Sequence, residues 1–364
     1  MTLAYLDWPV RSETVRWIVS DKDGNLHGDL MLSTFDTPKI TNDTTRSIRR
    51  NVSNLTVLPR PLHDVDPTHV YAEDITPLTM RVSPWWYLGN GLTYQQGVYL
   101  WGDDSVQLYS AGQPRPGMLT DQCTLLDQPL ERSIGYQAGT AVNDAIADLL
   151  SLDPSGEVEA AVEDGIEFTD AIIGTPIGYA AGRDTMLTAL DGLCKIAGFL
   201  PPYYDNQGRL VCRSAPNLAT ATPDFEYGQG LGDVLPGGVM SSDLLTAPNR
   251  YQAIGGQADA ELVGIFDVPD IAPNSFANTG RRIVKSQNVQ GITTQAQADQ
   301  SAAALYATDI SSYTWLSFQT ARVNPLHDTW NVVSFDGVNY REVGWTIDAK
   351  PGGQMAHQLR GTYQ

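Results

Sequence analysis

The sequence is short of positive charge. It sets 23 Lys and Arg against 42 Asp and Glu, for a net charge of −19. Only Lys22, Lys39, Lys195, Lys285 and Lys350 are lysines. Tight binding to nucleic acid needs cations facing phosphates, so DNA and RNA are not expected as bound ligands. Repulsion of DNA in transit remains compatible with such a charge. Cysteine is scarce as well. Cys123, Cys194 and Cys212 are odd in number and lack metal-ligand spacing, so they are expected to be reduced and buried. Long apolar runs are missing, and residues 1–13 have neither the basic nor the apolar region of an export signal. No membrane insertion is therefore expected. The sequons at Asn42, Asn51 and Asn54 then carry no meaning.

Catalytic signatures are also lacking. There is no Gly-x-Ser-x-Gly, no His-Glu-x-x-His and no cysteine in a catalytic context. Gly228, Gly230, Gly232, Gly237 and Gly238 lack the strand–helix setting and the lysine of a phosphate loop. No enzyme and no cofactor are expected.

What is present is turn-rich globular sequence, with 33 Gly and 22 Pro among 364 residues. Residues 1–118 read as β. Val15–Ser20 alternates, Asp21–Gly24 turns, and Asp29–Thr34 returns. Further strands are expected at Val52–Leu58, Leu78–Val82, Trp85–Leu88, Gly97–Trp101 and Ser105–Tyr109, with a boundary at Gly112–Gly117. Residues 119–215 carry helical periodicity. Ala141, Ala145 and Leu149 lie beside Val142, Ile146 and Leu150 on one helix. A second helix is expected from Asp184 to Ala197, stopping at Gly198. Each is preceded by a related phrase, Tyr136-Gln-Ala-Gly139 and Tyr179-Ala-Ala-Gly182, which reads as two strand–turn–helix repeats. Tyr203–Arg213 closes the region as a hairpin. Residues 216–364 return to β, with one alanine-rich helix at Gln295–Asp309 and a hairpin from Trp330–Phe335 to Tyr340–Ile347.

Several clusters have two readings. Asp21–Asn25 resembles the start of a calcium loop, but position 32 is Leu where a bidentate acid is required, so a hairpin turn is preferred. His63, Asp64, Asp66 and His69 have no helical ligand spacing and read as an exposed polar loop. A threefold His ring on a symmetry axis is the minor alternative. His27, His327 and His357 fall in strand or turn contexts. The acid pairs Asp103/Asp104 and Glu163/Asp164 read as solvated loops. Trp85, Trp86 and Tyr87 read as core or subunit interface, with glycan contact as the alternative.

The order of these segments resembles the minor tail proteins of long-tailed siphophages, and through them the baseplate hub family shared with contractile tails and type VI secretion spikes. The likeness rests on four stretches: Thr41–Thr44 and Ile48–Arg50 followed by Ser53–Leu58; Trp85–Leu88 followed by Tyr94–Leu100; the two Tyr-x-Ala-Gly units with Tyr203–Val211; and Asn324–Val333, Tyr340–Ile347 and Pro351–Met355. The resemblance implies a mostly β, α+β fold of two tube-like β-barrels and a smaller α/β peripheral unit. The corresponding divisions are 1–118, 119–215 and 216–364, with part of 216–245 a candidate to complete the first barrel. It further implies a structural virion protein, a homotrimeric ring at the distal end of a non-contractile tail. That ring would adapt a sixfold tube to a threefold tip and line a DNA channel. Its implied partners are the distal tail, tail-tube and tape-measure proteins and a central fibre or spike. The alternative is a host-receptor (glycan) binding tail protein.

Overall fold

The computed structural model describes residues 13–61, 66–77, 79–102, 114–152, 165–218, 220–229, 233–242, 246–257, 260–289, 292–309 and 314–361. Strands dominate. In the N-terminal part they are β1 Glu13–Asp21, β2 Leu26–Leu30, β3 Lys39–Asp43, β4 Arg50–Val57, β5 His69–Val70, β6 Met80–Leu88, β7 Thr93–Gln95, β8 Tyr99–Trp101 and β9 Arg115–Asp121. The Asp21–Gly24 turn forms as expected. Gly24 takes φ 82°, and Asp21 Oδ1 accepts the backbone N–H groups of Asp23 and Asn25 at 2.9 and 2.8 Å. The turn thus uses the carboxylate that a calcium loop would have needed. The expected strand Ser105–Tyr109 and the residues His63 and Asp64 lie outside the described residues.

β4 shows how sequence sets local shape. Val52, Leu55 and Val57 all face the core, which strict alternation forbids. A bulge between Val52 and Leu55 supplies the extra residue, and Asn54 takes φ 55°, a conformation asparagine tolerates.

The middle unit has its own core. β10 Ile134–Tyr136 pairs antiparallel with β11 Ile177–Tyr179, so the two repeated phrases face one another directly. Each phrase ends in a left-handed glycine, Gly139 at φ 88° and Gly182 at φ 70°, that turns the chain toward its helix. The helices are Val142–Leu150 and Met186–Ala197. The second is capped by the Thr185 hydroxyl and stopped by Gly198 at φ 74°. All three cysteines are buried here and free. β12 Tyr203–Tyr204 and β13 Leu210–Val211 form the expected hairpin.

The C-terminal part holds β14 Phe225–Tyr227, β15 Val239–Ser242, β16 Arg250–Gln257, β17 Ala260–Asp267, β18 Val284–Asn288, β19 Thr314–Thr320, β20 Val332–Phe335, β21 Val338–Asp348 and β22 Met355–Gly361. A three-stranded sheet, β17-β16-β18, carries the helix Gln295–Thr308 as a separate small unit. Of this unit, sequence periodicity predicts one strand, Asn249–Ile254, and the helix at Gln295–Asp309. The helix starts with a Thr294/Gln297 capping box.

The two β regions are not separate sheets. One strand path runs β15-β19-β22-β21-β3-β4-β9-β8-β6-β1-β2-β5. The joint is β21. Its first half pairs with β20 and its second half with β3, on either side of an irregularity between Glu342 and Gly344. Among the described residues no sheet closes into a barrel through its strand ladders; the mostly β fold is as expected, and the strands follow one continuous path. Beyond the end of β2, the path turns back on β4. Leu32 bridges Val57, the Ser33 N–H donates to the Thr56 carbonyl and the Leu58 N–H to the Met31 carbonyl, both at 2.8 Å. Among the described residues no helix is long and apolar enough to cross a membrane.

Two glycines test this description. A Cβ at Gly182 meets nothing within 4 Å, so Gly182→Ala is expected to cost only its left-handed backbone, about 1 kcal/mol. A Cβ at Gly117 lies 2.3 Å from the buried Trp101 ring, so Gly117→Ala is expected to cost more. Urea unfolding of both variants checks the order; the reverse order would contradict the packing described.

Candidate functional site: a buried polar junction

Three parts of the chain meet at Arg50, whose side chain is 2% exposed. β4 carries it inward beside Val52. Its Nη1 donates to Asn206 Oδ1 at 2.7 Å, Nη2 reaches Asp328 Oδ1, and Nε and Nη2 donate to Thr329 Oγ1 at 3.3 and 3.2 Å. Its guanidinium lies 5.4 Å from the Trp345 ring centroid. Burial by itself would lower the Arg50 pKa; the charge of Asp328 and other nearby acids more than offsets this, and the guanidinium titrates above its ordinary value.

The surrounding bonds tie the same parts. Gln96 Nε2 and Asn206 Nδ2 both donate to the His327 carbonyl, at 2.7 and 3.0 Å. Trp345 Nε1 donates to the Asp328 carbonyl at 3.0 Å, and Arg49 Nη1 to the Pro202 carbonyl. Asp121 Oδ2 accepts the backbone N–H groups of Arg49 and Arg50. Burial holds the Asp121 carboxyl above its usual range. The N-terminal strands, the middle hairpin and the 324–330 loop are therefore joined by one hydrogen-bonded network.

A second cluster lies under the same loop. His327 Nδ1 and His357 Nδ1 contact the two oxygens of Glu342 at 2.5 and 2.7 Å, and all three side chains are fully buried. Tyr227 Oη is 2.8 Å from His327 Nε2, and Thr320 Oγ1 is 3.4 Å from His357 Nε2. Phe225 stacks on His327 at 3.8 Å and Phe318 on His357 at 4.6 Å between centroids. These are the residues whose ligand-type atoms converge, all within 4.8 Å. Every ring nitrogen and carboxyl oxygen already has a partner, however. The Thr320 hydroxyl donates to the Arg322 carbonyl at 2.7 Å, so it accepts from His357 Nε2–H. The proton between His357 Nδ1 and Glu342 then comes from the carboxyl. Burial favours this neutral arrangement. It raises Glu342, lowers His357 and pushes His327 down to about 3. The cluster shares a proton and fills the space under the loop.

The residues singled out from sequence are dispersed. Trp86 is fully buried in the N-terminal core. Trp85 and Tyr87 are half-buried on the opposite face of β6, and Arg16 lies over the Tyr87 ring at 5.3 Å. The three aromatics therefore form no common platform. His69 and Asp66 lie 3.8 Å apart, and Asp66 Oδ1 accepts from Thr68, a local turn. His27 sits on β2, 4.0 Å from Asp21. Asp103, Asp104, Glu163 and Asp164 lie outside the described residues. Sequence reasoning passed over Arg50, Asp328 and the His327–Glu342–His357 trio. The one available signal was apolar density around two histidines.

No family model and no curated protein sequence matches the chain. Solved structures do. A tail protein from Neisseria meningitidis MC58 aligns at TM-score 0.60 and 13% identity over 96% of both chains. The prophage MuSo2 43 kDa tail protein from Shewanella oneidensis aligns at 0.58 and 14% identity, over 96% of this chain and 98% of that one. Prophage tail protein gp18 from Listeria monocytogenes EGD-e aligns at 0.56 and 10% identity, over 96% and 95%. The fold is that of phage tail proteins, carried from end to end of the chain.

Two predictions follow from the junction. Arg50→Met leaves the Asp328 carboxylate facing a buried gap, and is expected to cost about 3–5 kcal/mol by urea unfolding. Stability should also fall as pH drops below about 6.5, because the unfolded histidines take up protons that the buried His327 and His357 refuse. The raised Glu342 carboxyl works in the opposite sense, since it keeps its proton at pH values where the unfolded chain has lost it. Glu342→Gln should therefore steepen the acid-side fall; urea midpoints from pH 5 to 8 with an unchanged slope would refute the raised carboxyl.

Proposed function

We propose that this chain is a structural subunit of a phage tail, forming the hub ring at the distal end of a long non-contractile tail. The observation that carries the reading is the fold match to phage tail proteins over nearly the full length of both chains. On this reading three copies form the ring. Each offers two tube-like regions, one built around β4-β9-β8-β6-β1-β2 and one around β19-β22-β21-β20, so that three subunits present six. The return contact of Leu32 on Val57 supports the first of these. The ring adapts a sixfold tube to a threefold tip and surrounds the DNA channel. Three chains at −19 carry −57, which keeps DNA from adhering as it passes. The divisions 1–118, 119–215 and 216–364 then serve as wall, peripheral unit and wall.

The surface suits assembly. Phe35 is 97% exposed, Phe168 78% and Ile271 79%, a demand that a subunit meets by burying them against neighbours. The distal tail, tail-tube and tape-measure proteins and a central fibre or spike are the partners this position implies. A glycan-binding role for Trp85, Trp86 and Tyr87 is disfavoured by their placement on opposite faces.

Native mass measurement of the purified protein is expected to give a three-copy species, and antibody labelling of virions should mark the tail tip. A stable monomer together with labelling elsewhere on the particle would overturn the hub reading.

A further inference from the structure

The acid-rich chain contains one group of arginines with no acid partner. Arg341 on β21 and Arg360 on β22 are direct cross-strand partners. Arg213, just beyond β13, approaches them from the middle unit. Like charges directly opposite one another in a ladder are destabilising. Yet none of the three has a carboxylate within 4 Å among the described residues, while most other arginines do.

Their other contacts leave donors over. Arg341 is 5% exposed, its Nε has no partner, and Nη2 reaches the Pro216 carbonyl only at 3.5 Å. Arg213 Nε is likewise buried without a partner, and Nη2 reaches the Thr329 carbonyl at 3.5 Å. Each guanidinium lies over an aromatic ring: Arg213 5.7 Å from Tyr203, Arg341 5.9 Å from Trp330, and Arg360 5.9 Å from Trp315. A guanidinium is a planar fork of donors, suited to a carboxylate or phosphate acceptor. Asp309 is the acid whose charge reaches Arg341 and Arg360, but it is spent on Lys285 at 2.5 Å and on Tyr251 at 2.7 Å. Burial and the neighbouring Arg213 bring Arg341 down to about 10, a measure of how little anionic charge the site holds by itself.

We propose that Arg213, Arg341 and Arg360 form a slot for an oxyanion, and that in the assembled protein the oxyanion is a side-chain carboxylate of a second copy of this chain. Charge complementarity supports that source. The chain carries 42 carboxylates and 23 cations, so the surface that a second copy presents is acidic. The approach is from the side of Arg360, which is half-buried where Arg341 is buried, and a carboxylate there would lie against this unmet cationic charge. Free phosphate offers the same chemistry and serves as the probe.

The test has two arms, with the wild type and Arg213→Gln/Arg360→Gln compared in each. The first follows the melting temperature with inorganic phosphate against chloride at equal ionic strength. Wild type should rise by several degrees and the double variant should not. The second follows self-association by sedimentation. The double variant should associate at least about thirtyfold more weakly, the effect of stripping partners from a desolvated charge. A phosphate response without an association change would overturn the second-copy carboxylate and leave a free-anion slot. Equal behaviour in both arms overturns the slot altogether. Arg341→Met, which keeps the stacked stem, guards against loss of fold: it should melt as a single transition and still lose the phosphate response. These outcomes do not depend on the hub reading, since a slot can exist in any self-associating protein.

Discussion

The buried guanidinium of Arg50 is the constraint on which the rest of the fold depends. A fully desolvated cation is costly unless its donors are met, and Arg50 is met by groups that no single segment supplies. Asn206 comes from the middle hairpin, and Asp328 and Thr329 from the loop before β20. Each of these contacts requires the others to be in place. The units thus dock together or leave a charge stranded, which couples three stretches far apart in sequence. The shared His327 carbonyl makes the coupling tighter, because Gln96 and Asn206 can both reach it only in the docked arrangement.

This use of arginine also redistributes charge. Arg49, Arg50, Arg81 and Arg341 are buried, while most carboxylates are not. The buried acids Glu13, Asp121, Asp205, Asp309 and Glu342 offset these arginines, so the surface keeps the acidity that the net charge of −19 conveys. It also sets a difficulty: copies carrying so much like charge repel one another. On the proposed reading, exposed apolar side chains such as Phe35 and a cationic slot act against that repulsion.

The sequence made short-range features legible and long-range ones illegible. The β1–β2 hairpin, the two helices with their Tyr-x-Ala-Gly approaches, the Gly198 stop and the β20–β21 hairpin all follow from local periodicity and turn chemistry. The pairing of β14 with β20 does not, because three residues in parallel register leave no pattern. The sheet of β16, β17 and β18 was largely missed, since β18 is polar and its neighbours are interrupted by glycine. The Trp85–Trp86–Tyr87 run carries a simpler lesson. Consecutive strand residues point to opposite faces, so the run divides into one core tryptophan and two half-exposed rings. The His327–Glu342–His357 trio was hidden for a related reason. Fifteen residues separate each neighbour from the next, and only the β21–β22 ladder and the 324–330 loop bring them together.

Two arginine sites in one chain can be set side by side. At Arg50, three units converge and supply acceptors for the guanidinium, including a carboxylate. At Arg341, two units converge with comparable burial and similar aromatic support, yet the acceptors are carbonyls at 3.5 Å and, among the described residues, no carboxylate comes within 4 Å. Burial and aromatic support are alike, so the difference lies in the supply of anions. A chain with 42 carboxylates has no shortage of them to place there. Its own acids are directed elsewhere, to turns, caps and the other arginines. The Arg50 guanidinium thus finds its carboxylate within one subunit, and the Arg341 guanidinium finds none among the described residues.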